Sequence, residues 1–249
     1  MHAESEPKSS AREVPCRKLL LWDIDGTLFF GDRVGHHALI IALRRCFHIH
    51  GAVQEVDSAG RTEHHIARHI LQANGIEPTD DAVHAFLEAY VDALEQELPA
   101  RRTRLLPGVI AALEAVAARA DLAQGLLTGN LLRCARLKLE RFDTWRFFPF
   151  GAFGEDSVDR NELGPHALRR AIDHHQHPFV AARTFIIGDT PHDIACGKAI
   201  GAMTIAVATG QHRHAELAAL DPTAVIDDLA DTAAFMRLID SLPAAAGRI

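Results

Sequence analysis

"LLLWDIDGTLFF" occupies residues 19–30, and two carboxylates end its apolar run. Leu19, Leu20, Leu21 and Trp22 have the continuous apolar character of a strand covered on both faces. Asp23 and Asp25 follow, two residues apart, so an extended chain points both to the same side. A carboxylate in apolar surroundings is costly unless a partner meets it. Asp25-Gly26 is also a turn signal, so turn chemistry competes with a chemical task as the reason for the pair.

Working outward, the first apolar run spans 18–23, and others recur at 123–128, 148–153, 184–189, 203–208 and 224–227. Helical patterns separate most of them, over 108–119, 130–141, 164–175, 191–200, 212–219 and 230–241. This alternation predicts an α/β fold, a Rossmann-like parallel sheet with helices on both faces. The rhythm breaks between Phe30 and Pro107, where no strand is evident and helices are expected near 34–48, 62–74 and 79–97. That stretch is far too long for one crossover helix. We read residues 32–103 as an inserted all-α helical cap domain, and 17–31 with 104–249 as the α/β core. "RRTRLLPG" at 101–108 reads as the second linker, with Pro107 at a helix start. The stripe Ala82, Phe86, Ala89, Ala93 reads as packing inside the insert.

The 249 residues suffice for a large core, and a composition of 48% hydrophobic and 24% charged residues is that of a globular protein. A net charge of −7 argues against a nucleic-acid partner, which calls for a basic patch. No apolar run approaches the length of a membrane helix, so no membrane partner is expected. Cys16, Cys46, Cys134 and Cys196 are far apart with no CxxC, which favours a reduced, cytoplasmic setting. Residues 1–16 are polar, lack the apolar centre of a secretory signal and read as a disordered tail. Oligomeric state is not legible.

In an open parallel sheet, ligands bind at the carboxyl ends of the strands. Three expected strands end in polar residues: Asp23-Ile24-Asp25-Gly26-Thr27, Thr128-Gly129-Asn130, and Gly188-Asp189-Thr190-Pro191-His192-Asp193. Singly, the second could cap the next helix, and the third has the layout of a capping box with Pro at the first helical position. Jointly, they gather at one edge of the sheet. Four carboxylates there, Asp23, Asp25, Asp189 and Asp193, repel one another unless a cation sits among them. Hard oxygen donors without Cys or His suit Mg²⁺. Thr128 and the amides opening the following helix form an anion site. Cation and anion sites side by side suit a phosphate ester, which one carboxylate could attack while another handles protons.

"DIDGTL" at 23–28, "LLTGN" at 126–130 and "GDTPHD" at 188–193 resemble, in order and spacing, the first, second and fourth signatures of the haloacid dehalogenase superfamily of phosphohydrolases. The resemblance covers residues 17–240 and is nearest the phosphoglycolate phosphatase-like and β-phosphoglucomutase-like branch, which carries a helical cap at the same place. It implies Asp23 as nucleophile and metal ligand, and Asp25 as general acid and base whose backbone carbonyl also meets Mg²⁺. It implies Thr128 on the phosphoryl group, Asp189 as a direct ligand, and Asp193 as a direct or water-mediated one. Gly26, Thr27, Gly129 and Asn130 fall in the same signatures as substrate-binding positions, though helix capping equally explains Asn130. The family's third signature is a cation, usually Lys, but no Lys lies between Lys138 and Lys198. Arg160 in "EDSVDRNELGP" is the best substitute, whereas Arg169 and Arg170 read as helix-surface charges. "AGRTEHHI" at 59–66 resembles the cap loop that reaches the active site. Arg61 would then meet an anionic group of the substrate, and His64 and His65 read as helix-surface residues.

The resemblance implies a phosphatase acting on a small phosphorylated metabolite, phosphoglycolate first among the candidates. A sugar phosphomutase and a catalytically silent phospho-ligand-binding protein are the alternatives. Asp25 disfavours a dehalogenase, since the dehalogenases of this superfamily lack it.

Overall fold

A computed structural model of the chain describes residues 17–242; the tail expected at 1–16 and Cys16 lie outside them. In chain order the elements are β1 (Lys18–Trp22), β2 (Phe29–Phe30), α1 (Val34–Phe47), α2 (Glu63–Ala73), α3 (Asp80–Glu97), β3 (Arg104–Leu105), α4 (Val109–Ala117), β4 (Leu122–Leu127), α5 (Leu132–Glu140), β5 (Gly151–Ala152), α6 (Leu163–His175), β6 (Thr184–Gly188), α7 (Pro191–Ile200), β7 (Met203–Val207), α8 (His214–Ala218), β8 (Ala224–Ile226) and α9 (Thr232–Ser241).

The main sheet runs β5-β4-β1-β6-β7-β8 with every pair parallel. This is the α/β Rossmann-like core that the strand–helix alternation predicts. Alternation along β1 sends Leu20 and Trp22 into one apolar cluster and Leu19 and Leu21 into another. The first cluster includes Val109, Cys134 and Phe235 from α4, α5 and α9; the second includes Leu163 and Cys196 from α6 and α7. Trp22 meets Phe235 at 5.6 Å between ring centroids, so it packs under the sheet, away from the strand ends.

β1 lies between β4 and β6, so the chain leaves it in both directions across the sheet. That reversal opens a crevice at the carboxyl ends of neighbouring strands. Three helices, α1 to α3, fill the stretch between β2 and β3. Thr62 and Thr79 cap α2 and α3, accepting from the amides of His65 and Ala82. Phe86 and Ala93 are buried and Ala82 and Ala89 pack against the same cluster, as their spacing predicts.

Two strand expectations need correction. The stretch before Pro107 does hold strand: β2 and β3 pair antiparallel, Phe29 opposite Leu105 and Phe30 opposite Arg104. Arg104 also lies over the Phe30 ring at 3.9 Å. A two-residue ribbon is too short to leave a period in the sequence. The strand expected at 148–153 contracts to Gly151–Ala152, and a 3₁₀ turn at Trp145–Phe147 precedes it. Pro149 lacks the amide that a longer strand would need there.

Candidate active site

The three polar strand ends do converge, because β4, β1 and β6 are neighbours in the sheet. Asp23 follows β1 directly, and its amide donates to the carbonyl of Ile187 at 2.9 Å. Asp23, Asp189 and Asp193 are all buried, and each offers an oxygen within 4.8 Å of the others. Glycine makes this approach possible. Gly26 sits at φ +84°, and a Cβ on it would fall 2.3 Å from Oδ2 of Asp189. A Cβ on Gly188 would fall 2.0 Å from Cγ of Asp193.

Arg160 completes the cluster. It opens a 3₁₀ turn, Arg160–Glu162, and its side chain is only 5% exposed. Its Nη2 donates to Oδ1 of Asp23 at 2.8 Å and to Oδ1 of Asp193 at 2.5 Å, while Nη1 reaches the carbonyl of Gly60 at 3.2 Å. Burial alone would lower its pKa, but Asp193 and Asp23 together hold it raised, so the guanidinium keeps its charge. Burial pushes the Asp23 carboxyl up to about 7; Arg160 opposes that shift, and Asp193 and Asp25 add to it. Asp189 lies well above the usual carboxylate range through burial, then repulsion from Asp23 and Asp193. The buried Thr27 hydroxyl donates to Oδ1 of Asp189 at 3.2 Å, so Thr27 supports an acid beneath the cleft surface.

Asp193 serves two partners. Its Oδ2 accepts from the amide and hydroxyl of Thr190 at 3.0 and 2.7 Å, a capping interaction at the start of α7, while Oδ1 accepts from Arg160. The segment thus both caps α7 and places Asp193 beside Asp23 and Asp189.

Thr128 is fully buried at the end of β4, and its Oγ1 accepts from Asn130 Nδ2 at 2.8 Å, leaving the hydroxyl proton free to donate. Asn130 Nδ2 also donates to Oδ2 of Asp25 at 2.8 Å. Gly129 lies under the loop that leads to α2: a Cβ on it would come 2.0 Å from the carbonyl of Arg61. Its own carbonyl accepts from the Glu63 amide at 2.8 Å. Arg61 and His192 are half-buried beside one another, and burial, Arg61 and Arg160 together lower the His192 pKa. The loop 58–62 therefore does reach the strand ends.

His64 is not a free surface group, since its Nδ1 lies 3.0 Å from the Gly154 carbonyl. His65 stacks on His69 at 4.1 Å. Arg170 is likewise engaged, pairing with Asp156 at 2.6 Å and with the Gly151 carbonyl at 2.7 Å; Arg169 is exposed.

A second polar cluster escaped the sequence reading. Lys138 of α5 is buried, and its Nζ donates to Oδ2 of Asp25 and to Oδ1 of Asn130, each at 2.6 Å. Glu63 of α2 is buried nearby, accepting from the Tyr90 hydroxyl and from the Leu131 amide, each at 2.7 Å. Burial would lower the Lys138 pKa, but Asp25 and Glu63 hold it raised. Burial raises that of Glu63 against Lys138, the Leu131 amide and the Tyr90 hydroxyl. The signal was available: Lys138 shares an apolar helix face with Cys134, Ala135 and Leu139, and Glu63 shares one with Ile66, Ala67 and Ile70.

The fold that carries these acidic strand ends is similar to that of haloacid dehalogenase-like phosphatases and phosphomutases. Residues 161–232 match the HAD-hydrolase-like family model. The chain is 25% identical over 219 residues to IndB of Dickeya dadantii, named a probable phosphatase, covering 86% of this chain and 91% of that one. Its fold is similar to that of a predicted phosphoglycolate phosphatase from Haemophilus somnus, with TM-score 0.66 and 18% identity, covering 88% and 98% of the two chains. It is equally similar to that of a candidate β-phosphoglucomutase from Bacteroides vulgatus, with TM-score 0.66 and 20% identity, covering 94% and 93%. The resemblance read from "DIDGTL", "LLTGN" and "GDTPHD" is thus met by sequence and fold together. Among the described residues no helix is long and apolar enough to cross a membrane.

Proposed function

We propose that the protein is a Mg²⁺-dependent phosphatase that hydrolyses a small phosphorylated metabolite through an aspartyl-phosphate on Asp23. The cluster of Asp23, Asp189 and Asp193 within 4.8 Å, with Arg160 against it, carries this reading. A hard divalent cation fits the cluster: every donor is a carboxylate oxygen, and burial holds the Asp189 carboxyl far above its ordinary range. Asp23 and Asp189 would be the direct ligands with the Asp25 carbonyl, while Asp193, held by Thr190 and Arg160, acts directly or through water. When bound, Mg²⁺ supplies positive charge beside the phosphoryl oxygens.

The chain's own residues do the rest. Asp23 attacks phosphorus in line, and the leaving oxygen takes a proton from Asp25. Arg160 and the Thr128 hydroxyl stabilise the charge on the equatorial oxygens. Asp25 then draws a proton from water, whose oxygen attacks the phosphorus on Asp23 and frees inorganic phosphate. Residues 32–103 form a cap over the core of 17–31 and 104–242, excluding water during the first step. Arg61, beside His192 and His65, favours a substrate with a second anionic group, so a phosphoglycolate-like monoester leads. Three free cysteines among the described residues support a cytoplasmic setting.

Release of inorganic phosphate from a panel of phosphorylated metabolites, with Mg²⁺ and with chelator, tests the reading. Metal-dependent release is expected for at least one acidic monoester. Isomerisation of a sugar phosphate without net release would replace the phosphatase with a phosphomutase, and no turnover of any member would leave a binding protein.

A further inference from the structure

The buried charges of Lys138 and Glu63 have no part in metal binding or attack, yet they adjoin Asp25. A buried ammonium is costly and persists only where strong partners meet it. Lys138 is 3% exposed, and both oxygens that it reaches belong to strand-end residues, Asp25 and Asn130. Asp25 is otherwise loosely held, with a side chain 49% exposed. The two donors that meet it, Lys138 Nζ and Asn130 Nδ2, converge on the same oxygen, Oδ2. Among the described residues, no donor meets Oδ1. The carboxylate is thus fixed by one oxygen and presents the other. Asn130 is in turn oriented by Lys138 on one side and by Thr128 on the other. Behind the lysine, Glu63 supplies a second negative charge, itself fixed by the Tyr90 hydroxyl and the Leu131 amide. Glu63 and Tyr90 belong to α2 and α3, whereas Lys138 belongs to α5; Glu63 makes no ion pair with Lys138 and acts on it from the helical insert through its charge alone.

We propose that Lys138 is a positioning residue for proton transfer, holding Oδ2 of Asp25 so that Oδ1 faces the leaving oxygen, with Glu63 anchoring that lysine from the helical insert. The inference rests on the assignment of Asp25 as general acid. It separates two substrate types. A poor alkoxide leaving group needs an aligned acid, whereas nitrophenolate leaves without one. A purely structural role for Lys138 would impair both alike.

The test is kcat/KM for 2-phosphoglycolate, or the best alkyl monoester of the panel, against p-nitrophenyl phosphate, in wild type, Lys138→Met, Lys138→Gln and Glu63→Gln. Because kcat/KM stops at the first irreversible step, it reads leaving-group departure and not the later hydrolysis. Lys138→Met should cost roughly 10- to 100-fold on the alkyl ester, part of what a general acid contributes. On the nitrophenyl ester the loss should be no more than about 3-fold, set by the same leaving-group argument. Lys138→Gln, which keeps a donor, and Glu63→Gln should show the same selectivity at smaller size. Equal losses on both esters, or no loss, would overturn the inference, and the glutamine variants decide if the methionine chain does not fold. Absence of turnover in the wild type would instead remove the phosphatase reading itself.

Discussion

Replacing Arg160 by Met removes the guanidinium while keeping much of its bulk. In the native chain that group bridges Asp23 at 2.8 Å and Asp193 at 2.5 Å, with side chains only 6% and 3% exposed. It also reaches the Gly60 carbonyl at 3.2 Å, so three separate chain segments depend on it. Taking one partner from a buried ion pair leaves an uncompensated charge and costs about 3–5 kcal/mol. For a chain of this size that corresponds to a fall in Tm of roughly 6–20 °C. The loss should depend on pH. Burial already raises the Asp23 carboxyl to about 7, and without Arg160 it rises further. A group raised in the folded state stabilises below its unfolded pKa and loses that contribution as pH rises through the folded value. Asp23 can therefore take up a proton at pH 5 and relieve the repulsion, and does so less fully at pH 8. Melting curves in chelator at both pH values are the assay, with a larger drop expected at pH 8. A Tm at pH 8 within about 2 °C of wild type, less than 1 kcal/mol on the same scale, would refute the reasoning. So would a drop of equal size at both pH values.

Other consequences follow from the same geometry. The wild-type protein in chelator should lose stability as pH rises from about 4 to about 7, because Asp23 and Asp189 are both raised by burial, and Mg²⁺ should restore more at pH 8 than at pH 5 in thermal melts. Gly26→Ala forces a side chain into φ +84° and against the Asp189 carboxylate, so it should destabilise by more than about 1 kcal/mol and weaken Mg²⁺ binding by calorimetry. Arg61→Ala should raise KM for an acidic monoester by about 10-fold, the cost of one charged hydrogen bond, with kcat within about 2-fold; an unchanged KM would remove Arg61 from the substrate site.

Much of this was legible because it is written in short, local patterns. The run 19–22 ending in Asp23 and Asp25 marks β1 and its carboxyl end. Thr128 and Asp189 end two more strands in the same way, and parallel topology alone brings such ends together. Arg160 was reached by elimination, for want of a lysine between Lys138 and Lys198. The residues that were missed are coupled over long distances: Lys138 meets Asp25 across 113 positions, and Tyr90 meets Glu63 across 27. No periodicity records a side-chain pair of that kind. What the sequence does hold is a charge on an apolar helix face at both Lys138 and Glu63, and such a charge calls for a buried partner. The β2–β3 ribbon was missed for a different reason, because two residues cannot display a period.

The central claim is that Asp23 carries the phosphoryl group. Asp25→Asn should still accept it from p-nitrophenyl phosphate, whose leaving group needs no acid, but should hydrolyse it slowly for want of a base. Mixing this variant with Mg²⁺ and p-nitrophenyl phosphate, quenching in acid and mapping the phosphorylated peptide by mass spectrometry tests the claim directly. The expected result is phosphate on Asp23, lost in Asp23→Asn/Asp25→Asn. Phosphate on another residue, or none during a measurable burst of nitrophenolate, would contradict it.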